Sequence, residues 1–391
     1  MLHTVAISGY RSIRDLVLPL TGLDVVTGPN GSGKSNVYRA LRLISGLATD
    51  SAINALAREG GLGAVLWAGP EFGSGAAHAA GHPAQGTRRK GPVALRLGFS
   101  GDGVGYAADL GLPTPMDVGE DSMFRQDPVL KREWVFAGAF PKPSGLLVDR
   151  NRQVVRVRDG TWHDLPYPVP GHRSVLSEVA DGASAPEVLG LRDTLREWRF
   201  YDHLRTDPGA PARLPQVGTR TPVLASDGGD LAAALRTIVE FGHGDLLQDV
   251  VQDAFTGSRL MIESRDGVFS VGLHQPGMLR VLGAAELSDG TLRFLMLAAA
   301  LLSLRPPSLM VLNEPETSLH PDLYPALGAL MAAAAAHTQL VVVTHASDLA
   351  TCIENAGSAQ VGRLRLDKTD GQTRLPDLGM LTTPAWEWPR R

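Results

Sequence analysis

A pattern able to bind a polyphosphate lies near the start of the chain, at Gly28-Pro29-Asn30-Gly31-Ser32-Gly33-Lys34-Ser35. It consists of a glycine, four residues and Gly-Lys-Ser, and in this pattern backbone N–H groups cradle the phosphates. Lys34 would reach the β- and γ-phosphates, and the Ser35 hydroxyl would be a magnesium ligand. The predicted nucleotide-binding positions here are Asn30, Gly31, Ser32, Gly33, Lys34, Ser35 and Asn36.

The residues on either side support this interpretation. Leu23 to Thr27 reads as a buried strand, and Asn36 to Ile44 has helical spacing of its apolar residues. A strand, a glycine loop and a helix direct consecutive N–H groups and a helix N-terminus at an anion. The alternative is a glycine-rich turn that binds nothing, and the flanking pattern disfavours it.

A second cluster of candidate residues follows apolar strands in the last third of the chain. Leu309 to Leu312 is followed by Asn313-Glu314-Pro315-Glu316. A carboxylate at such a strand end can polarise an attacking water, so we predict Glu314 as the general base. An apolar strand that ends in Glu is weak evidence alone, but combined with the phosphate loop it is strong.

Two further stretches have the residue types that bind anions. In Glu286-Leu287-Ser288-Asp289-Gly290-Thr291, the Ser288 hydroxyl, the Gly290 N–H and the next helix N-terminus form a second anion site. Ser288 would be an N-cap in either case. His345 follows the strand Leu340 to Val343, and a histidine there is usually structural. Its spacing from Glu314, across one helix and one strand, favours a functional role.

The elements that must position these residues alternate between strands and helices, which predicts a largely parallel sheet. Strand signals dominate 93–160 and 259–283, and helical signals dominate 186–255. We predict an N-terminal lobe at 1–160, a mainly helical insertion at 161–275 and a C-terminal lobe at 276–391. Residues 69–92 read as a surface loop, and no heptad repeat predicts a long coiled coil.

Composition restricts the function classes. The chain has 391 residues, 43% hydrophobic residues and a net charge of −4, so nucleic-acid binding would need a local basic patch. The candidate patch is Arg192, Arg196, Arg199 and His203 on one helix face, for which a solvated surface is the favoured alternative. A single cysteine, the absence of a signal-peptide pattern and the lack of a long apolar stretch predict a cytoplasmic protein without membrane association.

Together these motifs resemble the SMC/RecF class of ABC-type ATPases. The resemblance is strongest to stand-alone AAA-family ATPases of the AAA-ATPase-like/OLD-type group without a Toprim nuclease domain. It rests on the phosphate loop, Leu287-Ser288-Asp289-Gly290-Thr291, Asn313-Glu314-Pro315-Glu316-Thr317-Ser318-Leu319-His320-Pro321 and Gly9-Tyr10-Arg11-Ser12. The motifs cover 1–46 and 284–348.

The resemblance implies a P-loop α/β fold of the ABC/SMC-head type. Such a fold has a mixed central sheet with flanking helices, an antiparallel β subdomain and a helical insertion. The implied cofactors are ATP and Mg²⁺, with Ser35 and Asn313 at the metal and Arg11 near the nucleotide. Glu314, Lys34 and His345 would be catalytic. Two copies would sandwich two ATP molecules, with Ser288 and Gly290 of one copy acting on ATP held by the other.

The sequence departs from this class at several positions. Asn313 stands where Asp usually precedes the catalytic Glu, and its neutral oxygen contributes no charge to a metal site. Glu316 is the candidate to compensate. No Q-loop is secure, with Gln126 as a candidate, and the coiled coil is missing. No acidic cluster resembles a Toprim domain, which argues against nuclease activity.

We therefore predict a slowly hydrolysing ATPase that dimerises with ATP, acting in DNA repair, DNA maintenance or anti-phage defence. The choice among these processes rests on family analogy alone. DNA and a protein effector are candidate partners. One alternative is a non-hydrolysing nucleotide sensor that acts on a protein effector, which Asn313 makes credible. The other is a transporter-type ATPase subunit, which the Ser-Asp-Gly signature and the long middle insertion disfavour.

Overall fold

A computed structural model describes residues 1–69, 94–114, 121–179, 182, 185–357, 360–379 and 383–390. The predicted loop at 69–92 lies almost wholly outside the described residues. The chain divides into two compact units. The first unit contains 1–21, 28–198 and 364–391, and the second contains 22–27 and 199–363. Both units combine separated stretches, whereas the predicted lobes at 1–160, 161–275 and 276–391 are continuous.

The first unit is built on an antiparallel sheet whose strands are β1 (Leu2–Tyr10), β2 (Ile13–Pro19), β4 (Leu95–Gly101), β5 (Val104–Gly111), β6 (Val129–Ala137), β7 (Leu146–Asn151), β8 (Val154–Asp159) and β9 (Thr161–Asp164). They pair in the order β2-β1-β4-β5-β6-β7-β8-β9. A separate hairpin is formed by β18 (Asp367–Thr369) and β19 (Gln372–Arg374). The antiparallel subdomain that the family resemblance implies is therefore present.

The helices of the first unit are α1 (Lys34–Thr49), α2 (Ala52–Ala57), α3 (Leu62–Val65), α4 (Val175–Glu178) and α5 (Pro186–Glu197). Helix α1 is amphipathic, and its apolar side is buried. It is tied to α5 by the Ser45 hydroxyl, which donates to the carbonyl of Leu195 at 2.8 Å. The helix that begins in the phosphate loop is thus fixed along its length.

A buried polar network stabilises the antiparallel sheet. The side chains of Arg150 and Glu133 are fully buried and form an ion pair. Glu133 also accepts from the hydroxyls of Tyr106 and Ser174, and Arg150 donates to the carbonyl of Pro170 at 2.8 Å. Buried charges are tolerated when their remaining hydrogen-bonding positions are filled in this way. The network joins the segment before α4 to the sheet.

The second unit is built on a sheet of short apolar strands, which are β3 (Leu23–Thr27), β10 (Arg199–Tyr201), β15 (Leu309–Asn313), β16 (Gln339–Val343) and β17 (Val361–Arg365). Their order is β10-β15-β16-β3-β17, and the first three pairings are parallel. Strands buried on both faces read as continuous apolar runs, as β15 and β16 do. The predicted parallel sheet is confirmed.

The helices of this unit are α6 (Leu231–Phe241), α7 (Gly244–Ala254), α8 (Asp289–Leu301), α9 (Tyr324–Ala334) and α10 (Ser347–Asn355). Most of α8 is buried within the apolar core. A smaller sheet contains β11 (Gln216–Val217), β12 (Arg259–Arg265), β13 (Val268–His274) and β14 (Leu282–Gly283). The α/β fold class is confirmed. No helix formed by the described residues has the length and hydrophobicity needed to cross a membrane.

Candidate functional site

The phosphate loop belongs to the first unit and begins at the residue after β3. Helix α1 starts at Lys34, and the N–H groups of Asn36 and Val37 both donate to the carbonyl of Gly33, at 3.0 and 3.3 Å. The buried Lys34 ammonium donates to the carbonyls of Gly28, at 2.6 Å, and Pro29, at 3.1 Å. The lysine side chain therefore folds back over its own loop, and its ammonium lies at the loop that would bind the phosphates.

The loop is also held by residues from both ends of the chain. The fully buried Thr373 donates from its hydroxyl to the carbonyl of Ser32 at 2.8 Å, and its N–H donates to the carbonyl of Ser12 at 2.8 Å. The Ser12 hydroxyl lies 2.7 Å from that of Thr373 and accepts from the Asn36 amide at 2.8 Å. These bonds connect β19 and the turn before β2 to the loop.

Two loop glycines are required by close contacts. A Cβ at Gly28 would lie 2.1 Å from the carbonyl oxygen of Leu366, and one at Gly33 would lie 2.1 Å from the Thr373 hydroxyl. Gly33 also has a φ of 105°, in the region that favours glycine. Any side chain at these positions would displace the C-terminal hairpin from the loop.

The loop offers unpaired hydrogen-bonding capacity that suits a phosphate. The Ser32 hydroxyl is buried and has no hydrogen-bond partner. Such orphaned groups are uncommon in proteins and invite explanation by a ligand or water. Asn30 and Gly31 are exposed, and a Cβ at Gly31 would meet nothing within 4 Å. The loop residues present therefore fit a polyphosphate.

Arg11, predicted to lie near the nucleotide, is engaged with an acidic neighbour. Its guanidinium donates to Glu59 at 2.9 Å, and the Tyr10 hydroxyl donates to the same oxygen at 2.5 Å. Burial raises the pKa of Tyr10. A quarter of the Arg11 side chain is exposed, and its Nε has no hydrogen-bond partner. The nucleotide role of Arg11 stays a prediction.

In the second unit, Glu314 directly follows β15 and is held in an unusual conformation. Its φ is 50°, which few residues other than glycine adopt. The Glu314 N–H donates to the carbonyl of Val343 on the neighbouring strand at 2.7 Å, and its carbonyl accepts from the N–H of Thr317 at 3.1 Å. These two hydrogen bonds fix the backbone of Glu314 in its left-handed conformation. Backbone strain of this kind is common at active sites.

Arg293 of helix α8 holds the same backbone. Its guanidinium donates to the carbonyls of Glu314 at 3.1 Å, Leu204 at 3.2 Å and Pro315 at 3.4 Å. Arg293 is buried, and desolvation lowers its pKa although two glutamates nearby act in the opposite direction. The helix after Ser288 is thereby connected to the predicted general base.

Glu316 connects this strand end to His345. One oxygen of the buried Glu316 carboxylate accepts from the Thr344 hydroxyl at 2.7 Å and the His345 N–H at 3.0 Å, and lies 3.1 Å from His345 Nδ1. Nδ1 of the ring thus lies against the carboxylate, and Nε2 is left for another group. Half of the His345 side chain is exposed, which allows Nε2 to meet a ligand.

The predicted signature motif starts helix α8. Ser288 is its N-cap, accepting from the N–H of Thr291 at 3.1 Å. A Cβ at Gly290 would lie 2.7 Å from the carbonyl oxygen of Ser318, in the segment after Glu316. Gly290 is therefore required by close packing of the two segments, and its N–H lies in the first turn of a long helix.

The predicted metal ligands can be tested by the chemistry of their atoms. The side-chain oxygen of Asn313 and the second carboxylate oxygen of Glu316 are both buried, and neither has a hydrogen-bond partner. Mg²⁺ prefers oxygen ligands and retains several waters. The oxygen of Asn313 therefore fits a site for a hydrated magnesium ion. Among the described residues, no group of three or more histidine, cysteine or acidic side chains could hold a metal.

The basic stripe predicted at 192–203 is not a single helix face. Helix α5 ends at Glu197, and Arg199 begins strand β10, so the helical spacing stops between Arg196 and Arg199. Arg196 donates to the carbonyl of Ala48 at 3.3 Å. This part of the prediction is wrong, because the ψ of 137° at Trp198 lies outside the helical range and ends the helix. Gln126 lies exposed in the turn before β6.

Sequence reasoning missed Arg293, Thr373 and the connection between Glu316 and His345. Arg293 had one signal, because it is the single charged residue in the apolar run from Leu292 to Leu302. Thr373 had none, since its partner Ser32 is 341 positions away.

Comparison with known proteins identifies the family. A family model described as "AAA domain, putative AbiEii toxin, Type IV TA system" matches residues 25–138 and 165–349. These stretches include the phosphate loop, the signature motif and His345, and they cover well over half of the chain. The chain therefore belongs to this AAA family, and the predicted family membership is confirmed. None of the curated proteins is significantly similar in sequence.

The chain is similar in structure to SMC head domains. One is a head bound to the C-winged helix domain of ScpA, with 13% identity, coverage of 97% of this chain and 98% of that one, and a TM-score of 0.49. A Pyrococcus furiosus head with an extended coiled coil, bound to the C-terminal domain of ScpA, has 12% identity, 95% coverage of both chains and a TM-score of 0.47. The head from Thermotoga maritima has 14% identity, coverage of 95% and 97%, and a TM-score of 0.41.

Proposed function

We propose that this AAA-family protein binds Mg-ATP, hydrolyses it slowly and pairs with a second copy while ATP is bound. The observation that carries the proposal is the order of parallel strands. Strand β16 lies between β15 and β3, with Val343 in register with Asn313 and Val26. Ligands of such sheets bind beyond the carboxyl ends of the strands, and the phosphate loop, Glu314 and His345 all follow strand ends.

In the proposed reaction each residue has a separate role. Lys34 binds the β- and γ-phosphates, and loop N–H groups with the Ser32 hydroxyl bind the remaining phosphate oxygens. Glu314 accepts a proton from the attacking water. His345, whose Nδ1 lies 3.1 Å from Glu316, contacts the γ-phosphate through its ring. Mg²⁺ would be held by Ser35 and Asn313 and would neutralise charge on the phosphates.

Pairing of two copies is supported by the signature motif. Ser288 and Gly290 lie at the N-terminus of helix α8, where N–H groups and the helix dipole favour an anion. In this proposal they bind ATP held by the second copy, so loss of the γ-phosphate separates the copies. Such a pair is a two-state switch that the nucleotide controls.

Among DNA repair, DNA maintenance and defence, we favour defence against phage. The description of the family names a toxin of a toxin–antitoxin system. A protein effector would then be the target of the switch, and DNA remains a candidate partner. The proposed location is the cytoplasm.

The test of ATP-dependent pairing is the solution mass of Glu314→Gln with and without Mg-ATP. We expect the mass to double only with ATP, because binding is kept while turnover stops. Lys34→Ala should neither bind ATP nor change mass. Glu240→Gln is the matched control, since Glu240 forms an exposed ion pair with Arg236. The same solution mass with and without Mg-ATP, or ATP turnover that Glu314→Gln leaves unchanged, would contradict the proposal.

A non-hydrolysing sensor is the second candidate function, and Asn313 favours it. An aspartate at this position would add charge to the magnesium site. If the chain hydrolyses ATP slowly for want of this charge, Asn313→Asp should increase turnover and sharpen its magnesium dependence. A wild-type protein that binds ATP but shows no turnover above Glu314→Gln would favour the sensor. Identical magnesium titrations would refute the assignment of Asn313 to the metal.

A further inference from the structure

Arg213 lies outside every motif of the sequence, yet its guanidinium is almost completely buried against the signature motif. We call residues 284–291 the signature segment. Arg213 Nη1 donates to the carbonyls of Ala284 at 2.9 Å and Leu287 at 2.7 Å, both in this segment. Its Nε donates to the carbonyl of Thr206 at 2.8 Å, which fixes the guanidinium from the opposite side. The Arg213 side chain is only 7% exposed.

The same guanidinium pairs with the acidic residue of the signature motif. Nη2 of Arg213 donates to Asp289 at 2.7 Å. Asp289 is the first residue of α8 and follows Ser288 directly, and its side chain is 58% exposed. A carboxylate at this position repels a phosphate that approaches the helix N-terminus. The charge of Arg213 offsets that repulsion.

We propose that Arg213 is a positioning residue, which orders the signature segment and neutralises Asp289 so that this helix N-terminus can accept a γ-phosphate. The inference rests on the proposed function, in which the phosphate belongs to ATP held by a second copy. Arg213 does not itself touch the nucleotide. Its loss therefore acts on pairing and turnover and leaves ATP binding by the loop of the same chain intact.

An arginine is needed because several acceptors must be bound at once. Its planar guanidinium offers five N–H groups in fixed directions, whereas a lysine ammonium is a single point charge. Without the guanidinium, the carbonyls of Ala284 and Leu287 lose a buried donor, and buried carbonyls without partners are costly. The segment would then move to reach water, and Asp289 would be left unpaired.

The test compares Arg213→Met and Arg213→Lys with Arg205→Met. Arg205 makes a bidentate pair with Asp207, at 2.9 and 2.8 Å, and both side chains are about half exposed, so it is a matched control. We expect both Arg213 variants to bind a fluorescent ATP analogue with affinity within about twofold of wild type, while kcat falls about 10- to 100-fold. ATP-dependent pairing, measured in a Glu314→Gln background, should weaken in parallel. Arg205→Met should match wild type.

A rescue experiment shows whether Arg213 acts by neutralising the charge of Asp289 or only by stabilising the fold. In Arg213→Met, adding Asp289→Asn removes the unpaired carboxylate, so pairing should recover in part, as a double-mutant cycle would show. Unchanged kcat in both Arg213 variants, equal losses of ATP affinity and kcat, or no recovery in the double variant would overturn the proposal. If Arg213→Met does not fold, the same criteria apply to Arg213→Lys and its double variant.

Hydrogen–deuterium exchange of peptides that cover 284–291 tests the ordering role without reference to pairing. We expect faster exchange there in the Arg213 variants and not in Arg205→Met. If wild type neither pairs nor hydrolyses ATP, the proposed function fails, and this measurement alone decides whether Arg213 orders the segment. Unchanged exchange would overturn that role.

Discussion

Replacing Arg293 by methionine tests whether the backbone of Glu314 must be held for catalysis. Methionine is unbranched and apolar, and it fits a buried site while removing every N–H group. The carbonyls of Glu314, Leu204 and Pro315 would lose donors that lie 3.1, 3.2 and 3.4 Å away. These are long contacts, so we assign about 1 kcal/mol to each in the free energy of unfolding. Burial lowers the pKa of Arg293, and relief of this desolvation offsets part of the loss.

The effect on turnover follows from the conformation of Glu314. Its φ of 50° is left-handed, and such a conformation costs a residue other than glycine about 1–2 kcal/mol. If Arg293 offsets this cost, the variant populates the productive conformation about 5- to 30-fold less, and kcat falls by the same factor. Arg293 binds the backbone of Glu314 and is not part of the phosphate loop, so the affinity for ATP should change little.

Steady-state ATPase assays with titration of a fluorescent ATP analogue measure kcat and affinity separately. Arg236→Met is the control, because Arg236 forms an exposed i,i+4 pair with Glu240. A folded Arg293→Met protein with wild-type kcat would refute the reasoning. A loss confined to ATP affinity would also refute it, since the substitution would then act on binding and not on the general base.

Three other substitutions test the first unit. In Thr373→Val the carbonyl of Ser32 loses a buried donor, which should cost about 1–3 kcal/mol, shared between the free energy of unfolding and the free energy of ATP binding. Thr373→Ser keeps the hydroxyl and is the control. Equal ATP affinities of the two variants would contradict this role. Arg150→Met leaves the charge of Glu133 buried and unpaired, so urea denaturation should show a loss of about 3–5 kcal/mol; a loss too small to measure would refute the pairing. Burial raises the pKa of Asp15, so its charge destabilises the fold at neutral pH. Asp15→Asn should therefore raise Tm at pH 7, and the gain should vanish as the pH falls below about 3.9, the ordinary pKa of an aspartate; an equal gain at both pH values would contradict it.

The sequence was sufficient to predict those parts of the molecule that depend on local pattern. The phosphate loop, the apolar strands β15 and β16, and helix α8 each have their signal within about fifteen consecutive residues. The family match extends over these motifs, which agrees with the resemblance inferred from them. Local pattern gave one wrong prediction, the basic helix face at 192–203. Its residues have helical spacing, but the helix ends at Glu197.

The remaining features depend on contacts between distant positions. Strand β3 belongs to the second unit although the residues before and after it belong to the first. Parallel pairing with β16 accounts for this, since it recruits a strand regardless of its place in the chain. Thr373 and Arg213 likewise act on backbone carbonyls, which every residue type provides. No motif at the receiving positions could therefore have revealed these bonds.

Two buried arginines hold helix α8 and could couple the proposed pairing of two copies to Glu314. Arg213 binds the segment that precedes the helix, whereas Arg293, which lies on the helix itself, binds the backbone of Glu314. If ATP on a second copy shifts the N-terminus of α8, the shift reaches Glu314 through a buried guanidinium that cannot lose its proton. Because such coupling is reciprocal, the conformation of Glu314 must equally bias pairing. Arg293→Met should therefore also weaken ATP-dependent pairing in a Glu314→Gln background, and intact pairing there would show that the two arginines act independently.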